Sequence, residues 1–227
     1  APAWPHKNAS PEDLRNSHPD SVIAENTLDS LTEYFAEIVT ALPAKPIMIG
    51  HSLGALIVQL LLQGDMALAG VALHSFPPGG LRTTKISFLK IMWSTMGLFT
   101  PPQKTYLISF RKWKRVIANG MTCEEQKQLY YKYATPESKL LIRDVFKAKA
   151  KINFEKKHPP LLLISGGLDK MISARLNFEN YTYYQKNNSV IDYKNFNDRN
   201  HLVFGHAAWR EEADFILRWL QGIKEHL

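Results

Sequence analysis

The chain has 227 residues, 45% of them hydrophobic and 22% charged, which suffices for one globular domain with a sizeable core. It contains no run of 18 apolar residues and no signal-peptide pattern, so we expect no membrane span. Cys123 is the only cysteine, which excludes an intramolecular disulfide and fits a reducing compartment, so we expect a cytoplasmic protein. The net charge of +7 comes from positions 82–157, which hold 17 lysines and arginines against 5 acidic residues. We interpret this excess as a solvated surface and expect no nucleic-acid partner, although a basic patch can bind one.

The N-terminal forty residues predict one long helix. Residues 1–20 are rich in proline, asparagine, aspartate and serine, which indicates irregular structure. Asn26 or Thr27 can cap a helix whose apolar residues recur with a 3.6-residue period. We expect this helix to end near Leu42-Pro43.

Strand and helix patterns alternate in the next part of the chain. The short apolar run 46–50 does not alternate with polar residues, which is typical of a strand buried on both faces of a parallel sheet. Residues 53–63 predict a helix that Gly64 ends, and residues 70–75 predict a second buried strand.

A segment of different character follows, from Leu81 to His158. Thr122 and Glu125 form a possible capping box, and Thr135-Pro136 places a cap residue before a proline in the first helical position. Aromatic and basic residues are interleaved through the segment, the aromatic ones being Phe88, Trp93, Phe99, Tyr106, Phe110, Trp113, Tyr130 and Tyr131. We interpret the segment as a helical insertion.

After the insertion, strand and helix patterns alternate again. We predict strands at 161–165 and 189–196 and helices at 174–184 and 207–223. Because strands alternate with helices over the whole chain, we expect an α/β fold with a mostly parallel sheet.

The strand predicted at 46–50 leads into Gly50-His51-Ser52-Leu53-Gly54, which matches G-x-S-x-G. In a nucleophile elbow of this pattern, a sharp strand-to-helix turn projects the serine hydroxyl above the sheet. The N–H of Leu53 would then face an oxyanion formed on the substrate. The alternative is a glycine-rich turn in which Ser52 only caps the helix.

A serine nucleophile needs a base and a group that orients the base, and after an elbow these follow in the order acid, then histidine. Asp169 follows the strand at 161–165, and His201 follows the strand at 189–196. Asp198 and His206 are the competing acid and base. The other candidate histidines, which we expect to be structural or exposed, are His51, His74 and His158.

Three stretches together resemble the α/β-hydrolase family: GHSLGA after PIMI, LLLISGGLD, and DRNHLVFG before an amphipathic helix. The resemblance covers nearly the whole chain, and the family members that the chain resembles include uncharacterised bacterial ones. It implies an α/β-hydrolase core at 1–80 and 159–227, with 81–158 as a helical lid. It also implies that Ser52 is the nucleophile, His201 the base, Asp169 the acid and Leu53 an oxyanion donor.

The chain departs from the family pattern at its start. Ala3-Trp4-Pro5-His6 resembles the loop that follows the fourth strand in that family. The family's first strands therefore have no counterpart in this chain. The loop that supplies the second oxyanion N–H in the family has no counterpart either. We therefore expect an N-terminally incomplete core, and the alternative is a degenerate relative without activity.

The function that we expect is a serine hydrolase, a carboxylic-ester hydrolase acting on a small acyl substrate with a hydrophobic part. A non-catalytic ligand-binding protein on the same fold is the alternative. No Cys/His cluster has zinc spacing, so we expect no metal and no organic cofactor.

Overall fold

The structure, a computed structural model, describes residues 1–79, 81, 101, 103–147 and 150–226. The strands are β1 (Ile47–His51), β2 (Ala69–Leu73), β3 (Leu161–Gly166) and β4 (Ile191–Phe196). The helices are α1 (Pro11–Asn16), α2 (Ser21–Ala24), α3 (Leu28–Thr40), α4 (Leu53–Gln63), α5 (Phe110–Val116), α6 (Cys123–Tyr133), α7 (Lys139–Asp144), α8 (Ala174–Tyr184) and α9 (Trp209–Gly222). Short 3₁₀ helices lie at Val203–Gly205 and Lys224–His226.

The four strands form one parallel sheet in the order β1-β2-β3-β4, as the α/β prediction requires. All residues of β2 and β3 are buried, and their apolar side chains pack between α4 and α8 on one face and α9 on the other. Because all strands run in the same direction, their carboxyl ends lie along one edge. The loops after β1, β2, β3 and β4 therefore converge there, where open α/β sheets place their binding sites.

The prediction that 46–50 is buried on both faces is wrong. Ile47 and Ile49 of β1 are 40% and 56% exposed. The physical reason is that β1 is the terminal strand of the described sheet and only one of its faces is covered, by α4. The apolar groove on its open face is lined by Phe204, Trp209 and Leu217, among others.

Two predictions of local structure also need correction. The irregular segment 1–20 contains α1, whose N-cap Ser10 accepts a hydrogen bond from the N–H of Asp13. The cap at Thr135-Pro136 is not used, because the backbone of Glu137 instead pairs with Tyr106 in a bridge. The helix α7 starts only after this bridge, with Ser138 as its cap.

The part of the 81–158 segment that the structure describes contains α5, α6 and α7. The capping box of Thr122 and Glu125 is present at the start of α6, as predicted. Trp113 and Tyr130 pack together in a small core that also contacts Leu202, close to the carboxyl edge of the sheet. Phe88, Trp93 and Phe99 lie outside the described residues. No helix among the residues that can be placed is long and apolar enough to span a bilayer.

Candidate active site

Ser52 lies at the sharp turn between β1 and α4. Its backbone adopts φ 55° and ψ −116°, a left-handed region that a non-glycine residue rarely occupies. The turn is held by two hydrogen bonds, from the N–H of Ser52 to Leu73 O (2.9 Å) and from the N–H of Phe76 to Ser52 O (3.1 Å). The Ser52 side chain makes no cap hydrogen bond to α4, which excludes the interpretation that it serves only as a helix cap. Leu53 is the first residue of α4, so its N–H has no acceptor within the helix.

The two glycines of the motif have different roles. A Cβ on Gly50 would lie 2.3 Å from the carbonyl oxygen of Gly54, because β1 and α4 approach each other closely at the turn. A Cβ on Gly54 would meet nothing within 4 Å. A glycine is therefore sterically required at position 50 but not at position 54.

We expect Gly50→Ala to lower the free energy of unfolding by about 3 kcal/mol or more, because the backbone atoms it would strike cannot move aside as a side chain can. Gly54→Ala is the matched control and should be neutral or stabilising by at most about 1 kcal/mol. Urea unfolding of both variants measures the difference. Equal destabilisation by the two substitutions would contradict this account.

Asp169 lies in the turn after β3, with a fully buried carboxylate. Its Oδ1 accepts hydrogen bonds from the backbone N–H groups of Met171 and Ile172, both at 2.8 Å. The sequence permits this turn to pack against the neighbouring loop because glycines precede Asp169. A Cβ on Gly166 would lie 2.4 Å from Arg199 O.

His201 lies in the loop after β4 and connects Asp169 with Ser52. Its Nδ1 is 2.8 Å from Asp169 Oδ2, and its Nε2 is 3.1 Å from Ser52 Oγ. An ionised carboxylate only accepts hydrogen bonds, so Nδ1 carries the hydrogen and the lone pair of Nε2 faces the serine hydroxyl. The arrangement can remove a proton from Ser52 Oγ and return it to a leaving group.

The competing acid and base of the sequence analysis lie elsewhere. The carboxylate of Asp198 is 72% exposed and pairs with the guanidinium of Arg199 at 2.5 Å. The Nδ1 of His206 accepts a hydrogen bond from the N–H of Ala208 at 3.3 Å. His158, as expected of a structural residue, packs on Tyr184 with its Nδ1 2.7 Å from Pro159 O.

Two histidines of the site were missed by sequence reasoning. His74 follows β2 and is completely buried, with its Nδ1 2.9 Å from Asp169 Oδ2. His51 ends β1, and its Nε2 donates to the carbonyl oxygen of His201 at 2.8 Å. Their position at the carboxyl ends of β1 and β2, on the same edge of the sheet as Asp169, was the signal that could have identified them.

Electrostatics in this cluster favour a carboxylate among neutral histidines. Burial would raise the pKa of Asp169, but the electrostatic interactions and hydrogen bonds with the imidazoles of His201 and His74 outweigh it and hold that pKa below its ordinary value. Burial lowers the pKa of His51 and of His74. Asp169 is therefore ionised at neutral pH, and these two histidines are neutral.

His51, His74 and His201 also form the one group of possible metal ligands among the residues that the structure describes, with ligand atoms within 4.8 Å of one another. Hydrogen bonds to Asp169, to Ser52 and to the backbone already engage all three rings. The donor set therefore fits a proton-transfer site better than a metal centre.

The loop that carries His201 is anchored by an ionic cluster. The guanidinium of Arg199 is 1% exposed and its Nε lies 3.0 Å from Glu212 Oε1, while further contacts reach Asp198 and Glu211. The second oxygen of Glu212 is buried and has no hydrogen-bond partner in the described part of the chain. Burial raises the pKa of Glu212 to about 7, although Arg199 opposes the shift.

This raised pKa predicts a pH dependence of stability. Because Glu212 binds a proton more tightly in the folded state, its contribution to the free energy of unfolding is complete below its ordinary pKa of 4.5 and is lost as pH rises through about 7. Glu212→Gln should remove a decline of up to about 3 kcal/mol across that range. Chemical unfolding at several pH values measures it. Glu211→Gln, which changes an exposed carboxylate of the same cluster, should keep the decline, and an unchanged decline in Glu212→Gln would refute the assignment.

Ser52 and His201 line a cavity of about 320 Å³. Most of the other lining side chains are apolar, and they come both from the sheet side and from the described part of 81–158. The latter group is Tyr106, Ile108, Trp113, Ile117, Tyr133, Ala134, Thr135, Glu137 and Ile142. Glu137 forms an ion pair with Lys7 at 2.8 Å, so the pocket wall contains no uncompensated charge at that point.

Comparison with known proteins shows the family of the chain. The chain aligns with a monoacylglycerol lipase of Paleococcus ferrophilus at 19% identity and a TM-score of 0.62, over 86% of this chain and 75% of that one. A methylesterase from Arabidopsis aligns at 17% identity and 0.58, over 86% and 78%. Tomato methylketone synthase I aligns at 15% identity and 0.63, over 87% and 80%. No curated protein matches the sequence. A model of the alpha/beta hydrolase family matches residues 10–214, and the chain therefore belongs to that family.

Proposed function

We propose that this protein is a serine hydrolase that cleaves carboxylic esters, with Ser52 as nucleophile, His201 as general base and Asp169 as the acid that orients it. The observation that carries the proposal is the 3.1 Å contact between Ser52 Oγ and His201 Nε2 at the wall of an apolar cavity. Names of similar structures agree with this chemistry, since they include a monoacylglycerol lipase and a methylesterase.

The proposed reaction has two halves. Ser52 Oγ attacks the ester carbonyl carbon as its proton moves to His201 Nε2, and the resulting oxyanion accepts a hydrogen bond from the N–H of Leu53. When the intermediate collapses, the ester C–O bond breaks, the alcohol takes the proton from His201, and an acyl-enzyme remains. Water then attacks the acyl group with His201 as base, which releases the carboxylic acid and restores Ser52.

The cavity favours a small ester with a hydrophobic part. At about 320 Å³ it lies near the lower end of the range for small-molecule sites. Trp4, Phe76 and Leu202 supply apolar surface from the core side. We assign 81–158 as the lid on 1–80 and 159–227, because its described residues form the opposite wall of the cavity.

Labelling with a fluorophosphonate probe tests the proposal directly, because such a probe phosphonylates a serine only when a base activates it. We expect one adduct, located on Ser52 by peptide mass spectrometry, and no adduct after Ser52→Ala. A panel of acyl esters of increasing chain length should then show hydrolysis that declines once the acyl group exceeds the cavity. A folded protein with neither labelling nor hydrolysis would instead be a non-catalytic ligand-binding member of the family.

A further inference from the structure

Two histidines contact the same carboxylate oxygen in the site. Asp169 Oδ2 lies 2.8 Å from His201 Nδ1 and 2.9 Å from His74 Nδ1. The proposed reaction uses only His201, because His74 is fully buried and does not line the cavity. His74 is therefore a buried titratable group that needs a separate explanation.

Because the carboxylate of Asp169 is ionised and only accepts hydrogen bonds, both histidines must donate their Nδ1–H to it. Oδ1 already accepts two backbone N–H groups, from Met171 and Ile172, and Oδ2 accepts the two imidazole N–H groups. Four donors saturate the carboxylate and fix its plane. Because Nδ1 of His74 carries the hydrogen and burial keeps the ring neutral, its Nε2 is left as a bare acceptor.

The backbone holds His74 in an unusual conformation for this contact. Its φ is +47°, and its N–H donates to Ile164 O on β3 at 2.7 Å. The ring packs closely over Gly166, where a Cβ would lie 2.6 Å from His74 Cε1. Strain at residue 74 and a glycine at residue 166 together orient one imidazole nitrogen toward Asp169.

A role as ordinary core filling does not explain this arrangement. Nε2 of His74 is buried and finds no hydrogen-bond partner among the described residues. An unpaired buried polar atom destabilises the folded state, whereas an apolar side chain of similar size would fill the space without that penalty. The contact to Asp169 is the one hydrogen bond that its ring makes in the described structure.

We propose that His74 is a positioning residue for the hydrolase: by donating to Asp169 Oδ2 it fixes the carboxylate and shares its negative charge with His201. This inference rests on the proposed function. Two consequences follow. Without His74 the carboxylate loses one of four anchors, so His201 is held less accurately against Ser52. The negative charge of the Asp169 carboxylate would also interact with His201 alone, which favours the protonated, inactive form of that base.

The test uses His74→Leu, which removes the donor at similar size, and His74→Asn. Asn places an N–H at the position of the imidazole Nδ1 and tolerates positive φ. For His74→Leu we expect kcat to fall about 10- to 100-fold with KM little changed. We expect the pH at which kcat is half-maximal to rise by about half a unit to one unit. His74→Asn should recover most of kcat and the original pH midpoint.

Other titratable groups facing the cluster are retained in both variants, so they do not confound the pH profile. They are His51 at the end of β1, Ser52 and His201 themselves, Tyr106 and Tyr133 on the opposite wall, and the paired Lys7 and Glu137. Should His74→Leu not fold, His74→Ala replaces it, because it removes the donor without adding bulk beside Gly166.

Wild-type kcat and pH midpoint in the donor-less variant would overturn the proposal, as would equal losses in His74→Leu and His74→Asn without a midpoint shift. Proton NMR gives a readout that does not depend on activity. The wild-type protein should show two downfield imidazole Nδ1–H signals, one of which disappears in His74→Leu. A single such signal in the wild type would also refute the proposed role of His74. If Ser52 is not labelled but both signals are present, the proposed function fails while the hydrogen bond stands.

Discussion

Ser52→Ala is expected to lower kcat for ester hydrolysis by about 10⁴- to 10⁶-fold. The substitution removes only Oγ, the atom 3.1 Å from His201 Nε2, and no other hydroxyl among the described residues hydrogen-bonds that nitrogen. The N–H of Leu53 and the cavity stay in place, so a small residual rate over water should persist. Steady-state kinetics with a short-chain chromogenic ester measures the loss.

Ser52→Gly provides the matched control, because it removes the same hydroxyl but changes the backbone preference. At φ 55° a glycine is favoured over an alanine, so Ser52→Gly should be about 1 kcal/mol more stable than Ser52→Ala while both lack activity. Urea unfolding compares the two. Substantial hydrolysis by either folded variant would exclude Ser52 as the nucleophile.

The contact between Ser52, His201 and Asp169 was predictable because each residue follows a recognisable strand. The strand-turn-helix pattern around Ser52 is local, and in a parallel sheet the residues after neighbouring strands meet at one edge. Their chemical roles remain predictions. His74 satisfies the same positional rule, but its contact with Asp169 depends on a positive φ and on the space above Gly166, which no periodicity in the sequence reports.

Other misses have equally specific causes. The apolar run that forms β1 has the composition of a central strand, and only the strand order shows that Ile49 is exposed. The cap signal at Thr135-Pro136 resembles the one at Ser10-Pro11, yet only the latter starts a helix. The difference is caused by tertiary contacts, because a backbone bridge to Tyr106 and an ion pair with Lys7 hold Glu137 outside a helix.

Asp169→Asn is expected to lower kcat about 10⁴-fold with little effect on the fold. Oδ1 accepts from two backbone N–H groups, so the amide oxygen of an asparagine must take that position. Its NH₂ group then faces His74 and His201, where the carboxylate accepted two hydrogen bonds. To accept from this NH₂, His201 must carry its hydrogen on Nε2, and in that tautomer it cannot take the proton of Ser52.

The control for this prediction is Asp198→Asn, which changes the other acid of the same region. The Asp198 carboxylate pairs with Arg199 and is exposed, so the substitution should leave kcat nearly unchanged. Kinetics of both variants against one ester, with urea unfolding to verify the fold, separates the candidates. If Asp198→Asn were the inactive variant, the orienting acid would belong to the His201 loop. A loss confined to Asp169→Asn would agree with the hydrogen bonds that Asp169 accepts, two from backbone N–H groups and two from imidazole N–H groups. Only a carboxylate can accept all four, because both of its oxygens are acceptors, whereas the NH₂ group of an amide is a donor.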